Sequence, residues 1–99
     1  MTKFDGVIEA VRYRGGKIEL VRAYERRGAT FSDRVLLGRK MLIERIRQGK
    51  RFVTGERREY LASTFEVGKS VNLLGRGEAQ VLSTRDQSDR DELEGVPAF

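Results

Sequence analysis

The residues of this chain whose types and spacing could do chemistry are its cations. The sequence has 20 Lys and Arg residues, of which 15 are Arg, against 15 Asp and Glu. The planar guanidinium of Arg is well suited to phosphate, and small β-rich domains bind nucleic acid with a basic groove and aromatic stacking. We predict a nucleic-acid-binding site from three groups: Arg12, Arg14 and Lys17; Lys50 and Arg51; Arg57 and Arg58.

This prediction depends on where the cations lie relative to one another. If the three groups lie side by side, they form a stripe that follows a phosphate backbone, and if they are spread evenly they are only a solvated surface. A preference for Arg can also reflect coding bias in the host or ion-pair networks for heat tolerance. The interleaved aromatic residues do not decide the question, because a small domain needs aromatics in its core. We interpret Tyr13 and Tyr24 as core residues rather than stacking platforms.

The charge of the chain changes sign near its end. Residues 1–76 carry 18 Lys and Arg against 9 Asp and Glu, whereas residues 77–99 carry 2 against 6. We therefore predict a basic β-rich domain over residues 1–76 and an acidic, disordered tail over residues 77–99, which competes for the basic surface. The mildly apolar end, Val96–Phe99, is expected to be frayed.

The composition argues against catalysis. The chain has no Cys and no His, which excludes disulfides, the usual zinc sites, Cys nucleophiles and imidazole acid–base chemistry. Gly68-Lys69-Ser70 matches the end of a phosphate-binding P-loop, but Ser63 stands where that motif needs Gly. The acidic residues of the tail lack the spacing of a calcium loop. We predict no enzyme activity, no cofactor and no metal.

The sequence shows no signal for export or membrane insertion. The first residues lack a secretory apolar run, and no uninterrupted apolar run exceeds three residues. We predict a cytoplasmic protein that does not enter the membrane. Its possible partners are nucleic acid, another protein, or a second copy of itself in a homodimer.

The clearest predicted element is a β-hairpin over residues 4–27. Gly15-Gly16 supplies the positive φ angles of a two-residue turn, so we pair Tyr13 with Ile18 and count outward. Both faces are then apolar near the open end of the hairpin, and only one is apolar near its turn. This pattern is typical of a hairpin that curls in a small barrel or lies in a sheet covered on both sides.

The rest of the chain predicts one helix among short strands. A helix is expected over residues 39–48, followed by Gly49 as its C′ residue. A longer helix from Ser32, or a strand through the same run, are alternatives. Strands are expected before it at residues 34–37 and after it at residues 50–54, 57–62 and 65–74, the last with a turn at Gly68-Lys69.

These elements predict an α+β fold that is mostly β. We expect an SH3-like or OB-like barrel of five to six strands with one short helix. The function that follows is non-enzymatic nucleic-acid binding through a basic barrel surface. The alternative is a protein–protein interaction module that pairs an open edge with a partner strand or forms a homodimer. A pocket for a small anionic ligand is a third hypothesis.

Overall fold

A computed structural model describes residues 4–28, 30–57, 65–77, 80–88 and 90–99, except for the side chain of Arg57. This part of the chain is mostly β with one short helix, as the sequence predicts. In chain order the elements are β1 (Gly6–Arg14), β2 (Lys17–Arg27), β3 (Thr30–Phe31), β4 (Val35–Gly38), α1 (Arg39–Arg47), β5 (Phe52–Arg57), β6 (Phe65–Ser70), β7 (Asn72–Leu74) and β8 (Val81–Ser83).

The strands form one large mixed sheet and one small sheet. The large sheet has the order β3-β2-β1-β5-β6, and β4 pairs with β2 beside β3. Its strands are antiparallel except for β1 and β5, which run parallel because α1 carries the chain across between them. β7 and β8 form the small sheet. In the described ranges the outer strands do not pair with one another, so the sheet is open and the predicted barrel is not found.

The first hairpin has the predicted register at both ends and a different one in the middle. Tyr13 pairs with Ile18 and Val7 with Tyr24, as expected. Between these pairs the register slips by one residue, because Glu9 in β1 and Glu19 in β2 are each an extra residue opposite the partner strand. Such β-bulges change the direction in which later side chains point.

The bulge at Glu9 places Ile8 and Val11 in the same core. Ile8 and Val11 lie three positions apart and would point to opposite faces of a regular strand. Both belong instead to the larger core cluster, whereas Val7 belongs to the smaller one. The sheet therefore has a core on each side.

The larger core is covered by α1 and by the C-terminal part of the chain. Leu42 and Ile43 of α1 pack in it together with Leu82 of β8 and Leu93. The smaller core is aromatic: it contains Val7, Tyr24 and Val53, against which three half-buried rings pack, namely Phe4, Phe31 and Phe65. Tyr24 is thus a core residue as predicted, whereas Tyr13 is 39% exposed.

The helix α1 ends as the sequence predicts. Gly49 has φ +90°, and its N–H donates to the carbonyl of Ile46 at 3.0 Å. The N–H of Lys50 donates to the carbonyl of Arg45 at 3.1 Å, which completes a Schellman motif. The chain then turns at once into β5, where the N–H of Arg51 donates to the Asp5 carboxylate at 2.8 Å. Lys50 and Arg51 are therefore held close to the start of β1.

The expected turn at Gly68-Lys69 is a bulge inside β6. Val53 pairs with Ser70 and Gly55 with Val67, so β6 has one residue more than β5 over this stretch. A Cβ atom on Gly68 would lie 2.6 Å from the Thr54 hydroxyl oxygen, which instead accepts a hydrogen bond from the N–H of Lys69. The missing side chain permits this close approach, and the strand continues through it.

The structure does not show the disorder predicted for the acidic tail. Leu82, Asp91 and Leu93 are buried, and Ala98 forms a parallel bridge with Val11 on the edge of β1 beyond β5. The composition of this segment is polar, but Leu82 and Leu93 belong to the larger core and Val96 packs against it. No helix in the described part of the chain is long and apolar enough to span a bilayer.

Candidate nucleic-acid interface

The predicted basic groups lie at opposite ends of the first hairpin. Arg14 pairs with Lys17 across the turn, whereas Lys50 and Arg51 precede Phe52, which pairs with Gly6 at the open end. At about 3.3 Å per residue, the length of β1 separates the two ends by about 26 Å. The first two groups therefore do not lie side by side.

At the turn end, two of the predicted cations are engaged by other groups. Arg14 forms an ion pair with Glu19 at 3.2 Å, with its side chain 82% exposed. The guanidinium of Arg12 lies 4.8 Å from the ring centroid of Phe99, and its Nε donates to the Phe99 carbonyl at 3.1 Å. Lys17 is exposed. At this end Lys17 and the terminal nitrogens of Arg12 are left for other acceptors, while Arg14 shares its charge with Glu19.

The third predicted group can be placed only in part. Arg57 is the last residue of β5 and pairs with Phe65. The side chain of Arg57, the whole of Arg58 and the aromatic Tyr60 lie outside the described residues. Their contribution to a binding site stays a prediction.

At the open end, Lys50 and Arg51 meet three further cations. Lys50 lines a cavity of about 220 Å³, which we call the Lys50 cavity. Its other lining residues come from the start of β1, the end of β2, the end of α1 and the start of β5: Asp5, Glu25, Arg26, Arg27, Arg45 and Phe52. We define the Lys50 surface as the five cations Arg26, Arg27, Arg45, Lys50 and Arg51.

A second concavity adjoins the first. This helix groove, of about 380 Å³, lies between the end of α1 and β7 and shares Lys50 and Phe52 with the Lys50 cavity. Arg51 also lines it, together with the apolar residues Ile46 and Leu73, and its lining includes no carboxylate. The two concavities are neighbours that share these two residues, and each is lined by cations.

The two carboxylates of the Lys50 cavity are already engaged. Glu25 accepts a hydrogen bond from Nε of Arg45 at 3.0 Å, and Asp5 accepts one from the N–H of Arg51 at 2.8 Å. Arg27 and Lys50 are exposed and form no ion pair within the described ranges. The surface therefore has a local excess of positive charge that the fold does not neutralise.

Arg26 is held in place by aromatic rings rather than by a carboxylate. Its guanidinium carbon lies 4.8 Å from the ring centroid of Phe31 and 5.9 Å from that of Phe4. Its Nε donates to the Phe4 carbonyl at 2.9 Å, which leaves its two terminal nitrogens for other acceptors. Stacking of this kind orients a guanidinium without removing its charge.

Three of these five cations were not among the predicted site residues. Arg26 and Arg27 are far from Lys50 in sequence and reach it because β1 pairs with both β2 and β5. Arg45 lies just before Lys50 at the end of α1, and its carbonyl accepts the Lys50 N–H. The sequence contained one signal for this convergence. The doublet Arg26-Arg27 stands at the end of the predicted hairpin, and the doublet Lys50-Arg51 stands at the start of a predicted strand.

The described acidic residues of the tail lie away from the Lys50 surface. Asp91 pairs with Arg39 at 2.9 Å, and Glu94 with Lys69 at 2.7 Å. Burial by itself would raise the pKa of Asp91, but hydrogen bonds from Arg39 and from the N–H groups of Ile18 and Leu82 outweigh it and hold this pKa below its usual value. The tail therefore neutralises cations that lie outside the candidate site.

Another cavity has the opposite character. It measures about 440 Å³ and lies between β6 and residues 94–97, where Glu9, Glu56, Glu66 and Glu94 line it with Lys69 as its one cation among the described residues. A polyanion would be repelled from this surface, so the positive and negative depressions of the molecule are separate.

Comparisons with family models, with curated proteins and with solved structures find no match to this chain. Within the described ranges, no group of three or more Asp or Glu side chains is placed to hold a metal ion.

Proposed function

We propose that this protein is a non-enzymatic nucleic-acid-binding protein whose Lys50 surface contacts the phosphate backbone. The observation that carries the proposal is the convergence of five cations from β2, α1 and the start of β5, beside two carboxylates that are already engaged. Neutralising phosphates with Lys and Arg releases condensed counterions, which is the main source of affinity for such surfaces.

The shape of the surface supports a single strand as the ligand. The Lys50 cavity and the helix groove share Lys50 and Phe52, so a flexible backbone can pass from one to the other. Ile46 and Leu73 add apolar surface in the groove, where the face of a nucleobase can pack. The half-buried rings of Phe4 and Phe31 flank Arg26 on the other side of the cavity.

A pair of charge-matched variants tests the proposal. Arg27→Gln/Lys50→Gln removes two exposed cations from the Lys50 surface, and Arg14→Gln/Lys17→Gln removes two exposed cations from the turn end. Binding is measured by fluorescence anisotropy with a labelled, mixed-sequence single-stranded oligonucleotide of about 20 nucleotides at several salt concentrations. Net charge is the same in both variants, so only position differs between them.

We expect the Lys50-surface variant to bind at least tenfold more weakly at about 150 mM salt and the turn-end variant to bind within threefold of wild type. The slope of log affinity against log salt should fall by about 1.4 in the first variant, since each contact with a single strand contributes about 0.7. Equal losses in both variants would show that diffuse charge alone attracts the oligonucleotide.

A second candidate function is protein interaction through the open edge at β6. Within the described part of the chain no strand pairs with the outer side of β6, and Val67 on this strand is 43% exposed. The bulge at Gly68 and the ion pair of Lys69 with Glu94 protect one end of the edge, and Val67 lies next to that end. Sedimentation equilibrium of wild type and Val67→Lys tests self-association there: a mass that stays monomeric at all concentrations excludes the homodimer.

A further inference from the structure

The charge of the Lys50 cavity suits a doubly charged anion. Four cations and two carboxylates line it, which gives the lining a net charge of +2. An internal phosphodiester of a nucleic acid carries one negative charge. A terminal phosphate, like a phosphorylated side chain, carries about 1.5 to 2 negative charges at neutral pH because its second pKa is about 6. The lining therefore matches a terminal phosphate more closely than an internal one.

The number of cationic groups left free in the cavity, three, also matches a terminal phosphate. Within the described ranges, no carboxylate forms an ion pair with the guanidinium of Arg26, the guanidinium of Arg27 or the ammonium of Lys50. A terminal phosphate presents three unesterified oxygens, whereas an internal phosphodiester presents two. Nε of Arg45 lies 3.0 Å from the Glu25 carboxylate. Arg45 therefore contributes charge to the cavity, but its guanidinium is not free to bind a phosphate with two parallel hydrogen bonds.

The size of the cavity limits what can enter it. Its volume of about 220 Å³ is below the range of roughly 300–1,000 Å³ that is usual for sites that enclose a whole small molecule. The ring of Phe52, which is buried, forms part of its wall. A phosphate and part of the attached sugar fit this space, and the strand then leaves through the adjoining helix groove.

We infer that the Lys50 cavity binds the terminal phosphate of a nucleic-acid strand. The inference rests on the proposed nucleic-acid-binding function and adds to it a preference for strand ends that carry a phosphate. The helix groove, with Arg51 and no carboxylate in its lining, receives the nucleotides next to that end.

The test compares three oligonucleotides of about 12 nucleotides with one sequence: one with a 5′-phosphate, one with a 3′-phosphate and one with hydroxyls at both ends. Each carries its fluorescent label at the end that has no phosphate. We expect one of the phosphorylated strands to bind wild type about tenfold more tightly than the unphosphorylated strand at about 150 mM salt. This ratio should fall below threefold in Arg27→Gln and stay near tenfold in Arg14→Gln, the matched control at the turn end.

The outcomes separate this inference from the proposed function. Equal affinity for all three strands, together with weaker binding of each strand by the Lys50-surface variant, overturns the terminal-phosphate site and leaves nucleic-acid binding in place. If no strand binds, both proposals fail. Inorganic phosphate serves as a further probe. If it shifts the amide resonances of Arg27 and Lys50 while no strand does, the cavity is a site for free phosphate, and the inference that it binds a nucleic-acid end is wrong.

Discussion

The carboxylate of Asp91 lies 2.9 Å from Nε of Arg39, and this pair joins the acidic end of the chain to the first residue of α1. The side chain of Asp91 is 1% exposed. It also accepts hydrogen bonds from the N–H of Ile18 at 2.8 Å and from that of Leu82 at 2.9 Å. One carboxylate thus connects β2, α1 and β8, which is why the tail is part of the folded unit.

Asp91→Asn is expected to destabilise the protein by about 2–4 kcal/mol. The substitution leaves Arg39 without its counter-charge and removes one of the acceptors that satisfy buried N–H groups. The measurement is the free energy of unfolding from urea denaturation at pH 7. Asp86→Asn, at an exposed position of the same segment, is the control and should change stability by less than about 0.5 kcal/mol. Similar small effects in both variants would mean that the tail does not contribute to the folded state.

Stability should fall in acid. The pKa of Asp91 is held below its usual value, and so is that of Glu94, through hydrogen bonds from Lys69 and Arg85. Because these groups have a lower pKa in the folded state, they stabilise it above the unfolded pKa, near 4, and this contribution is lost as the pH falls through the folded values. The urea midpoint should be nearly constant from pH 7 to pH 5 and decrease below about pH 4. Asp91→Asn should show a flatter decrease, and parallel curves would contradict the role of Asp91.

Gly55→Ala is expected to cost about 2 kcal/mol or more. A Cβ atom on Gly55 would clash with the carbonyl oxygen of Glu66, so β5 and β6 would have to move apart. Gly38→Ala is the matched control, since a Cβ there meets nothing within 4 Å and its φ of −70° is open to any residue. Thermal or urea unfolding should show a change within about 0.5 kcal/mol for this control. Equal effects would indicate that the two strands are not as close as described.

Phe99→Ala should lower stability by about 1 kcal/mol. The centroid of the Phe99 ring lies 4.8 Å from the guanidinium of Arg12 and 4.6 Å from that of Arg22. The backbone N–H of Phe99 donates to the Val11 carbonyl at 3.1 Å. Phe99→Leu keeps the apolar contact without the π face and should recover part of the loss. Amide exchange gives a second measurement: the Phe99 N–H should be protected in wild type. An unprotected amide would restore the sequence-based prediction of a frayed end.

Local structure could be predicted from the sequence because its causes are local. The Gly15-Gly16 turn places Tyr13 opposite Ile18 through backbone angles that only a few residues allow, and φ is +59° and +79° at the two glycines. The end of α1 at Gly49 follows from the same kind of preference. These elements depend on residues within a few positions of one another.

The register slips at Glu9 and Glu19 could not be predicted, because alternation of apolar residues is the same with and without a compensating pair of bulges. Tertiary contacts decide between the two: Ile8 and Val11 both reach the larger core only in the bulged strand. The parallel pairing of β5 with β1 was missed for a related reason, since nothing in the local pattern of β5 indicates it.

The sequence by itself determined the hairpin turn, the helix and its end, the positive charge of residues 1–76 and the lack of Cys and His chemistry. The tertiary structure alone decided which charges meet. In the sequence, Asp91 is one of several acids in a polar segment. Nothing there indicates that it pairs with Arg39, which is 52 residues away. Likewise Arg26 and Arg27 join Lys50 only through strand pairing. The energy between two charges depends on the distance between them in space, and that distance is fixed only when the chain has folded.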